Sequence, residues 1–437
     1  MRDVLHYFTD PVLRAPTLGT MLMCAAAALV GVIFFLRKQS LLGEALSHAA
    51  YPGVILGAIL AAFLGFSDVQ EATLTSFILL GAFVTAMGSL FAIYFLEDKV
   101  KVRSDAALCF VLALFYGVGV LLASHVQFSL TSLYRQVQVY LYGQAATMTD
   151  IYIVIYGVLL LLVGGIIWLF YKEFQIITFD RNYAETLGIP TKALDFLLFI
   201  LVVSAVVIGI RSVGVVLMSA MLVAPAAAAR QFTHHFSKML LLAMGIGALS
   251  GFLGNYFSLE LGVALPTGPM IVLSASALCF LSILFAPKRG ILWRLIRSIR
   301  FRSQRQQENI LKALWRLGTG HSSSFSHLKR LLGGPSLELD FNLWRLRANG
   351  WIVQDASGYS LTQEGEQWAA KIVRLHRLWE VYLVDYLGMG AEKVHRSAEE
   401  MEHILTPELE RELTLLLKDP KHDPHAQPIP PIEREVH

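Results

Sequence analysis

The chain has 437 residues, 55% of them hydrophobic and only 16% charged, a balance that excludes an ordinary soluble protein. Its net charge of +3 averages two unlike regions: residues 1–287 hold 14 Lys+Arg and 14 Asp+Glu, whereas residues 288–437, about half as long, hold 22 and 19. A disulfide framework is excluded too, since Cys24, Cys109 and Cys279 all sit in apolar runs and no CxxC occurs.

Apolar segments long enough to cross about 30 Å of hydrocarbon lie near 17–36, 49–66, 74–96, 105–123, 150–171, 193–210, 213–230, 238–257 and 266–286. The second and sixth are short, so eight or nine spans are expected. The first is read as a spanning helix and not a cleaved signal, because Arg37, Lys38 and further apolar segments follow it. Alternating the loops collects Arg37/Lys38, Lys99/Lys101/Arg103, Lys172/Arg181/Lys192, Arg230/Lys238 and everything after Lys288 on one side. The other side keeps only Arg2, Arg14, Arg135 and Arg211. That asymmetry predicts an N-terminus outside and a cytoplasmic C-terminal half. Small residues, as in "VGVVLMSAMLVAPAAAA" (213–229), allow close helix packing, and Pro225 and Pro266 predict kinks. The fold class expected for 1–287 is an all-α polytopic membrane bundle.

Ionisable residues inside apolar segments are functional suspects. In "LLGEALSHAAYPG" (41–53), Glu44 and His48 are four apart and share one helical face. A carboxylate and a neutral imidazole supply half a shell for a divalent first-row metal; the plainer reading is a hydrogen bond between the two near a helix start. The chain contains no Gly-Lys dipeptide and hence no GxxxxGK[ST] phosphate loop, and no HExxH. ATP hydrolysis, where required, falls to another subunit.

After "LFAPKRG" (284–290), the stretch 288–306 carries seven basic residues, no acid, and apolar residues near helical period. It reads as a basic amphipathic helix lying on the lipid of the cytoplasmic leaflet, the sharper alternative being a nucleic-acid arm. Residues 307–368 then read as a winged helix-turn-helix: helices over 308–318, 323–333 and 336–350, and a hairpin over 351–365 turning at Ser357-Gly358. The third helix would enter the major groove with Arg345 and Arg347, although Glu338 and Asp340 repel phosphate. Such modules also contact protein. Further on, His376 and Glu380 form a one-face pair, and His395, Glu399, Glu402 and His403 fall within one arc of a helix. They read either as a solvated polar face or as an N/O ligand set suited to Mn²⁺ or Fe²⁺ over structural Zn²⁺.

Two resemblances sharpen these readings. "LGEALSHAAYPGV" is similar to the LGDAxSHAxLPG stretch of bacterial zinc/manganese/iron ABC permeases, with Glu44 where Asp is usual. "YLYGQAATMTD" (140–150), "FDRNYAETLGIP" (179–190), "SVGVVLMSAMLVAPAAAA" (212–229) and "LPTGPMIVL" (265–273) also resemble that family, in order. The resemblance implies Glu44 and His48 on the metal's path and an ATPase-coupling segment marked by Asp180, Glu185 and Gly188. It further implies a separate ABC ATPase subunit, a partner permease subunit and a periplasmic metal-binding protein, in a bacterial inner membrane. "HRLWEVYLVDYLGM", "VHRSAEEMEHILTPELEREL" and "DPHAQPIP" resemble the diphtheria-toxin-repressor family over about 308–431. That implies a metal site of His376, Glu380 and His395 and a regulatory site of Glu399, Glu402 and His403, with His376 shared into the latter in manganese-type members. It also implies DNA binding and a homodimer. Asn309 and Lys312 stand where that family has acidic or methionine ligands. The expected domains are thus 1–287, 288–306, 307–368, 369–431 and a tail, 432–437. The function expected is a permease subunit of an ATP-driven divalent metal importer (iron or manganese, with zinc as a further candidate) whose repressor-like tail is released by cleavage or senses in place. The alternative is a membrane-tethered regulator without transport.

Overall fold

The computed structural model describes residues 5–64, 71–261, 265–287, 289–318, 321–390, 394 and 407–431. Two units separate, Met1–Trp293 and Arg294–His437.

The first unit is wholly helical among its described residues. After a short α1 (His6–Thr9) come α2 (Arg14–Leu36), α3 (Ser40–Phe63), α4 (Glu71–Asp98), α5 (Ser104–Ser129), α6 (Thr131–Tyr142) and α7 (Ile151–Leu169). Then follow α8 (Tyr171–Phe179), α9 (Arg181–Thr186), α10 (Thr191–Val213), α11 (Met218–Phe232), α12 (Phe236–Glu260) and α13 (Thr267–Phe285). Eight of these, α2, α3, α4, α5, α7, α10, α12 and α13, are long and apolar enough to cross a membrane. The expected 213–230 segment instead folds as α11, only 15 residues long.

Polar ties at the helix ends show what α11 does. The Tyr7 hydroxyl donates to Glu260 (2.8 Å) and Arg14 pairs with Asp150. The Ala145 amide donates to Thr267 Oγ1 (2.8 Å) and the Gln144 amide to the Arg211 carbonyl (3.0 Å). Those ties gather the starts of α2, α7 and α13 with the ends of α10 and α12 on one face. On the other face Asp195, near the start of α10, meets Arg37 just past α2, and His234, just past α11, meets Arg289 beyond α13 at 3.2 Å. α11 therefore runs from the first set of ties toward the second, about 22 Å of helix at 1.5 Å per residue.

Glycine sets the closeness of the packing. A Cβ on Gly53 would lie 2.1 Å from the Gly81 carbonyl oxygen, and one on Gly31 would lie 1.9 Å from that of Leu222. The α3/α4 and α2/α11 backbones touch with no room for a side chain. Pro225 lies inside α11 and Pro52 inside α3, whereas Pro266 is the residue preceding α13.

In the second unit the basic stretch and the first expected helix are one continuous helix, α14 (Ile291–Leu317). Nothing in 291–317 breaks it, because the sequence there has neither Gly nor Pro. Burial begins at Ser303; Ile291, Leu295 and Ile299 are exposed. α15 (Phe325–Leu332), α16 (Ser336–Ala348) and the antiparallel pair β1 (Ile352–Asp355) and β2 (Gly358–Leu361) follow, with Val353 opposite Ser360. Ile310, Leu311, Leu314, Leu328, Leu339, Leu343, Leu346 and Ile352 make the core. Thr362 caps α17 (Gln363–Asp385) by accepting the Gly365 amide at 3.0 Å, and a last helix, Pro407–Leu416, precedes the extended stretch to Pro431.

Candidate metal path and candidate metal sensor

Glu44 and His48 lie one turn apart on α3, both half-buried. No hydrogen bond or ion pair joins them among the described residues, so the plainer reading of the pair is not realised. Instead the His48 ring meets Tyr116 of α5 edge-on, centroids 4.8 Å apart, and Tyr116 in turn faces Tyr51 at 5.8 Å. The Nδ1 atom of His48 is buried and has no hydrogen-bond partner. A buried nitrogen without a partner is costly to a fold, and it is what a ligand to a passing metal ion would present. Among the described residues no three His, Cys, Asp or Glu side chains form a group that could hold a metal ion.

The segment 171–190 is ordered by local polar contacts. Asp180 caps α9, accepting the Tyr183 amide at 2.9 Å, and Glu185 receives Arg181 Nε (3.4 Å) and the Thr191 hydroxyl (3.3 Å). Gly188 turns the chain at φ +74°, a left-handed conformation that other residues adopt only with strain. Beside them opens a cleft of about 430 Å³ lined by Lys172, Gln175, Ile176, Phe179, Asp180 and Tyr183. Sequence reasoning missed the ion cluster above it: Asp195 is held by Arg37 (2.6 Å) and by Arg181 (2.8 Å). The signal was an acid, Asp195, inside an apolar segment.

In the second unit His376 and Glu380 are one turn apart on α17, Nε2 to Oε1 3.2 Å, and only 4% and 2% exposed. A buried imidazole–carboxylate pair is a donor set that fits a divalent ion. His395, Glu399, Glu402 and His403, expected beside them, lie outside the described residues. Lys312 is buried in α14 at 5% exposure, and Asn309 is half-buried.

Two arginines that sequence reasoning did not single out anchor the C-terminal stretch to α17. Arg374 donates to the Pro430 carbonyl (2.7 Å) and to Asp419 (3.1 Å). Arg377 pairs with Asp423 (3.5 Å), donates to the Pro428 carbonyl, and lies 5.7 Å over the Trp315 ring of α14. Burial pushes the Arg377 guanidinium below its usual range, with Asp423 and Glu380 opposing that. Lys421, then Arg374, hold the Asp419 carboxyl below the ordinary carboxylate range.

On α16, Arg345 and Arg347 are exposed, and Arg347 donates to Gln354 of β1 at 3.2 Å. Glu338 is neutralised by a two-pronged pair with Arg302 (2.7 and 2.8 Å), which removes half of the expected phosphate repulsion. Asn342, fully buried, binds Ser303, Gln306 and Gln307 and clamps α16 to α14. The exposed face of α16 also carries Leu337, Phe341 and Trp344.

Comparison with known proteins bears on both units. The family description "ABC 3 transport family" matches residues 9–286, and "Iron dependent repressor, metal binding and dimerisation domain" matches residues 362–431. A probable metal transport system membrane protein of Chlamydia trachomatis is 36% identical over 447 residues, covering 98% of each chain. The manganese transport system membrane protein MntC of Bacillus subtilis is 38% identical over 85% of this chain and 84% of its own. Among solved structures, PsaBC from Streptococcus pneumoniae in complex with Fab matches with a TM-score of 0.56 and 27% identity, over 66% of this chain and 97% of that one.

Proposed function

Because the chain belongs to the ABC 3 transport family, we propose that it is the permease subunit of an ATP-driven importer of divalent iron or manganese, with zinc a further candidate. Its C-terminal unit, on this reading, senses the same class of ion. The observation that carries the transport reading is the unpartnered, buried Nδ1 of His48 one turn from Glu44, inside the bundle. A carboxylate and a neutral imidazole bind a hydrated divalent ion by replacing part of its shell, and two donors from one chain hold it weakly enough to release.

The face holding Arg37, Lys38, Arg181 and Arg289 is the cytoplasmic one by its excess of basic residues. The N-terminus then lies outside, where a metal-binding protein delivers the ion, and the second unit leaves into the cytoplasm. The separate ATPase subunit docks at the cleft beside α8 and α9, and a partner permease subunit covers exposed apolar positions such as Phe110 and Leu121 of α5.

In the tail, His376 and Glu380 with His395, Glu399, Glu402 and His403 would hold the sensed ion, which supplies positive charge that draws these donors together. Two tails pair, and Arg345 and Arg347 contact DNA phosphate. One observation favours a second reading of the winged unit: the exposed Leu337, Phe341 and Trp344 of α16 suit a protein contact better than a groove.

Uptake of radiolabelled Mn²⁺ or Fe²⁺ by cells supplying the ATPase subunit tests the transport reading. Uptake that depends on this chain and is lost in Glu44→Ala/His48→Ala supports it; no uptake with the wild-type chain would sink it in favour of a tethered regulator.

A further inference from the structure

Asp195 is shared between two arginines that belong to different working parts. Arg37 Nη1 contacts its Oδ1 at 2.6 Å and Arg181 Nη1 its Oδ2 at 2.8 Å. Asp195 sits near the start of α10 and is 6% exposed. Arg181 is the first residue of α9, half-exposed beside the docking cleft. Arg37 follows the end of α2, and three residues later α3 begins, the helix that carries Glu44 and His48. One carboxylate thus joins the docking segment to the turn that feeds the metal-binding helix.

The Arg37 guanidinium is under-used. Its side chain is 9% exposed, yet it spends one nitrogen on Asp195 while Nε and Nη2, both buried, have no partner. A guanidinium is a flat fork of five donors that fits a carboxylate with two parallel bonds. Here Arg37 bonds only Oδ1, while Oδ2 is engaged by Arg181. Idle buried donors on a charged group are unfavourable, so they mark an arrangement with a fuller set of bonds within reach. Release of Oδ2 by Arg181 would supply it.

We infer that Asp195 is a carboxylate exchanger that couples the ATPase subunit to the metal site. In the state seen here both arginines hold it. When the docked subunit draws α9 away, Arg181 withdraws, and Oδ2 turns to the idle Nη2 of Arg37. The pair becomes two-pronged, the α2–α3 turn is pulled toward α10, and Glu44 and His48 move with α3 against Tyr116. Neither state leaves Asp195 as a bare buried charge, which is why one acid needs two arginines. Asp195 and Arg37 act here as positioning residues, since neither touches the ion.

This inference rests on the reading of the chain as a permease driven by a separate ATPase. The test uses the whole transporter in proteoliposomes and reads metal moved per ATP hydrolysed. Arg181→Gln, at a half-exposed site, should lower that ratio roughly tenfold, with thermal unfolding matching the wild type. Arg181→Lys, which keeps the charge, should recover most of it, a rescue that a merely structural role would not show. Asp195→Asn alone and Asp195→Asn/Arg181→Gln should fall equally, because both remove the same exchange. An unchanged ratio in Arg181→Gln, or a double variant clearly worse than Asp195→Asn, overturns the exchanger and leaves the transport reading standing. ATP hydrolysis without metal movement by the wild type overturns both.

Discussion

The His48 ring stands edge-on to Tyr116, their centroids 4.8 Å apart at 77°, so the imidazole of α3 is oriented by a residue 68 positions away on α5. An edge-on aromatic contact is worth about 1 kcal/mol, and it fixes the ring while leaving Nδ1 without a partner. Tyr116→Leu should therefore raise the half-saturating metal concentration for uptake by about fivefold, with expression unchanged. Glu44→Asp, which keeps the charge and shortens the reach, should lower uptake less than Glu44→Ala. Equal uptake by Glu44→Ala/His48→Ala and the wild type would remove both residues from the path.

Gly53 and Gly81 place the backbones of α3 and α4 in direct contact. A methyl group at residue 53 would sit 2.1 Å from the Gly81 oxygen, and forcing the helices apart costs about 1–3 kcal/mol. Gly53→Ala should lower the unfolding temperature of the detergent-purified protein, whereas Gly88→Ala, with nothing within 4 Å of its added Cβ, should not. Equal temperatures for the two variants would contradict the close contact.

The anchored C-terminal stretch should loosen in acid. The Asp419 carboxyl is held below its ordinary range by Lys421 and Arg374. A depressed carboxylate stabilises the fold above the unfolded pKa of about 3.9 and loses that contribution as pH falls through the lower folded value. Hydrogen exchange of the 419–430 stretch should accordingly speed up below about pH 4 more than exchange in the core of α17. Asp419→Asn should give fast exchange at every pH. A wild-type stretch that keeps its protection in acid would count against these contacts.

How much of this was legible in the sequence follows from distance along the chain. The eight long apolar helices could be read because a lipid-spanning helix is a local property, twenty apolar residues in a row, whereas the short α6, α8 and α9 were not. The segment 213–230, one of nine expected apolar segments, folds as α11, whose 15 residues are short for a span, so the long spans number eight among the described residues. Glu44 and His48 were visible as a one-turn pair; Tyr116 was not, since no spacing rule joins α3 to α5. Asp195 was visible as an acid in an apolar run, but its partners Arg37 and Arg181 read only as loop charges. In the second unit the same limit applies: His376 and Glu380 share a turn, while Arg377, which ties Trp315 to Asp423, looks like any helix arginine.

Metal sensing by the tail is a separable expectation. His376 and Glu380 are buried together, and a second pair of donors from 395–403 would complete a set. Titration of the purified full-length chain with Mn²⁺, followed by calorimetry, should show binding that survives Glu44→Ala/His48→Ala and is weakened by Glu402→Ala/His403→Ala. Equal binding with and without the tail substitutions would leave the clustered residues as a solvated polar face.

Release of the tail is a separate expectation that turns on α14. Proteases need an extended backbone, and the basic stretch, read from sequence as an amphipathic helix, is helical from Ile291 onward. Two features still favour cutting there. The helix buries no side chain before Ser303, with Leu295 and Ile299 exposed, so its first turns open at low cost. The winged unit beyond it is complete, with its own core and the Asn342 clamp, and would keep its shape once freed. A tail fixed to the membrane reaches only nearby DNA, whereas a freed one searches by sliding and hopping. An antibody to the C-terminus should thus detect, in native cells, a soluble band of the size of residues 294–437 beside the full-length chain. Pro substituted at Ile296 should increase that band by breaking the helix. If only the membrane-bound band appears at both low and high metal, release is wrong and the tail works where it is attached.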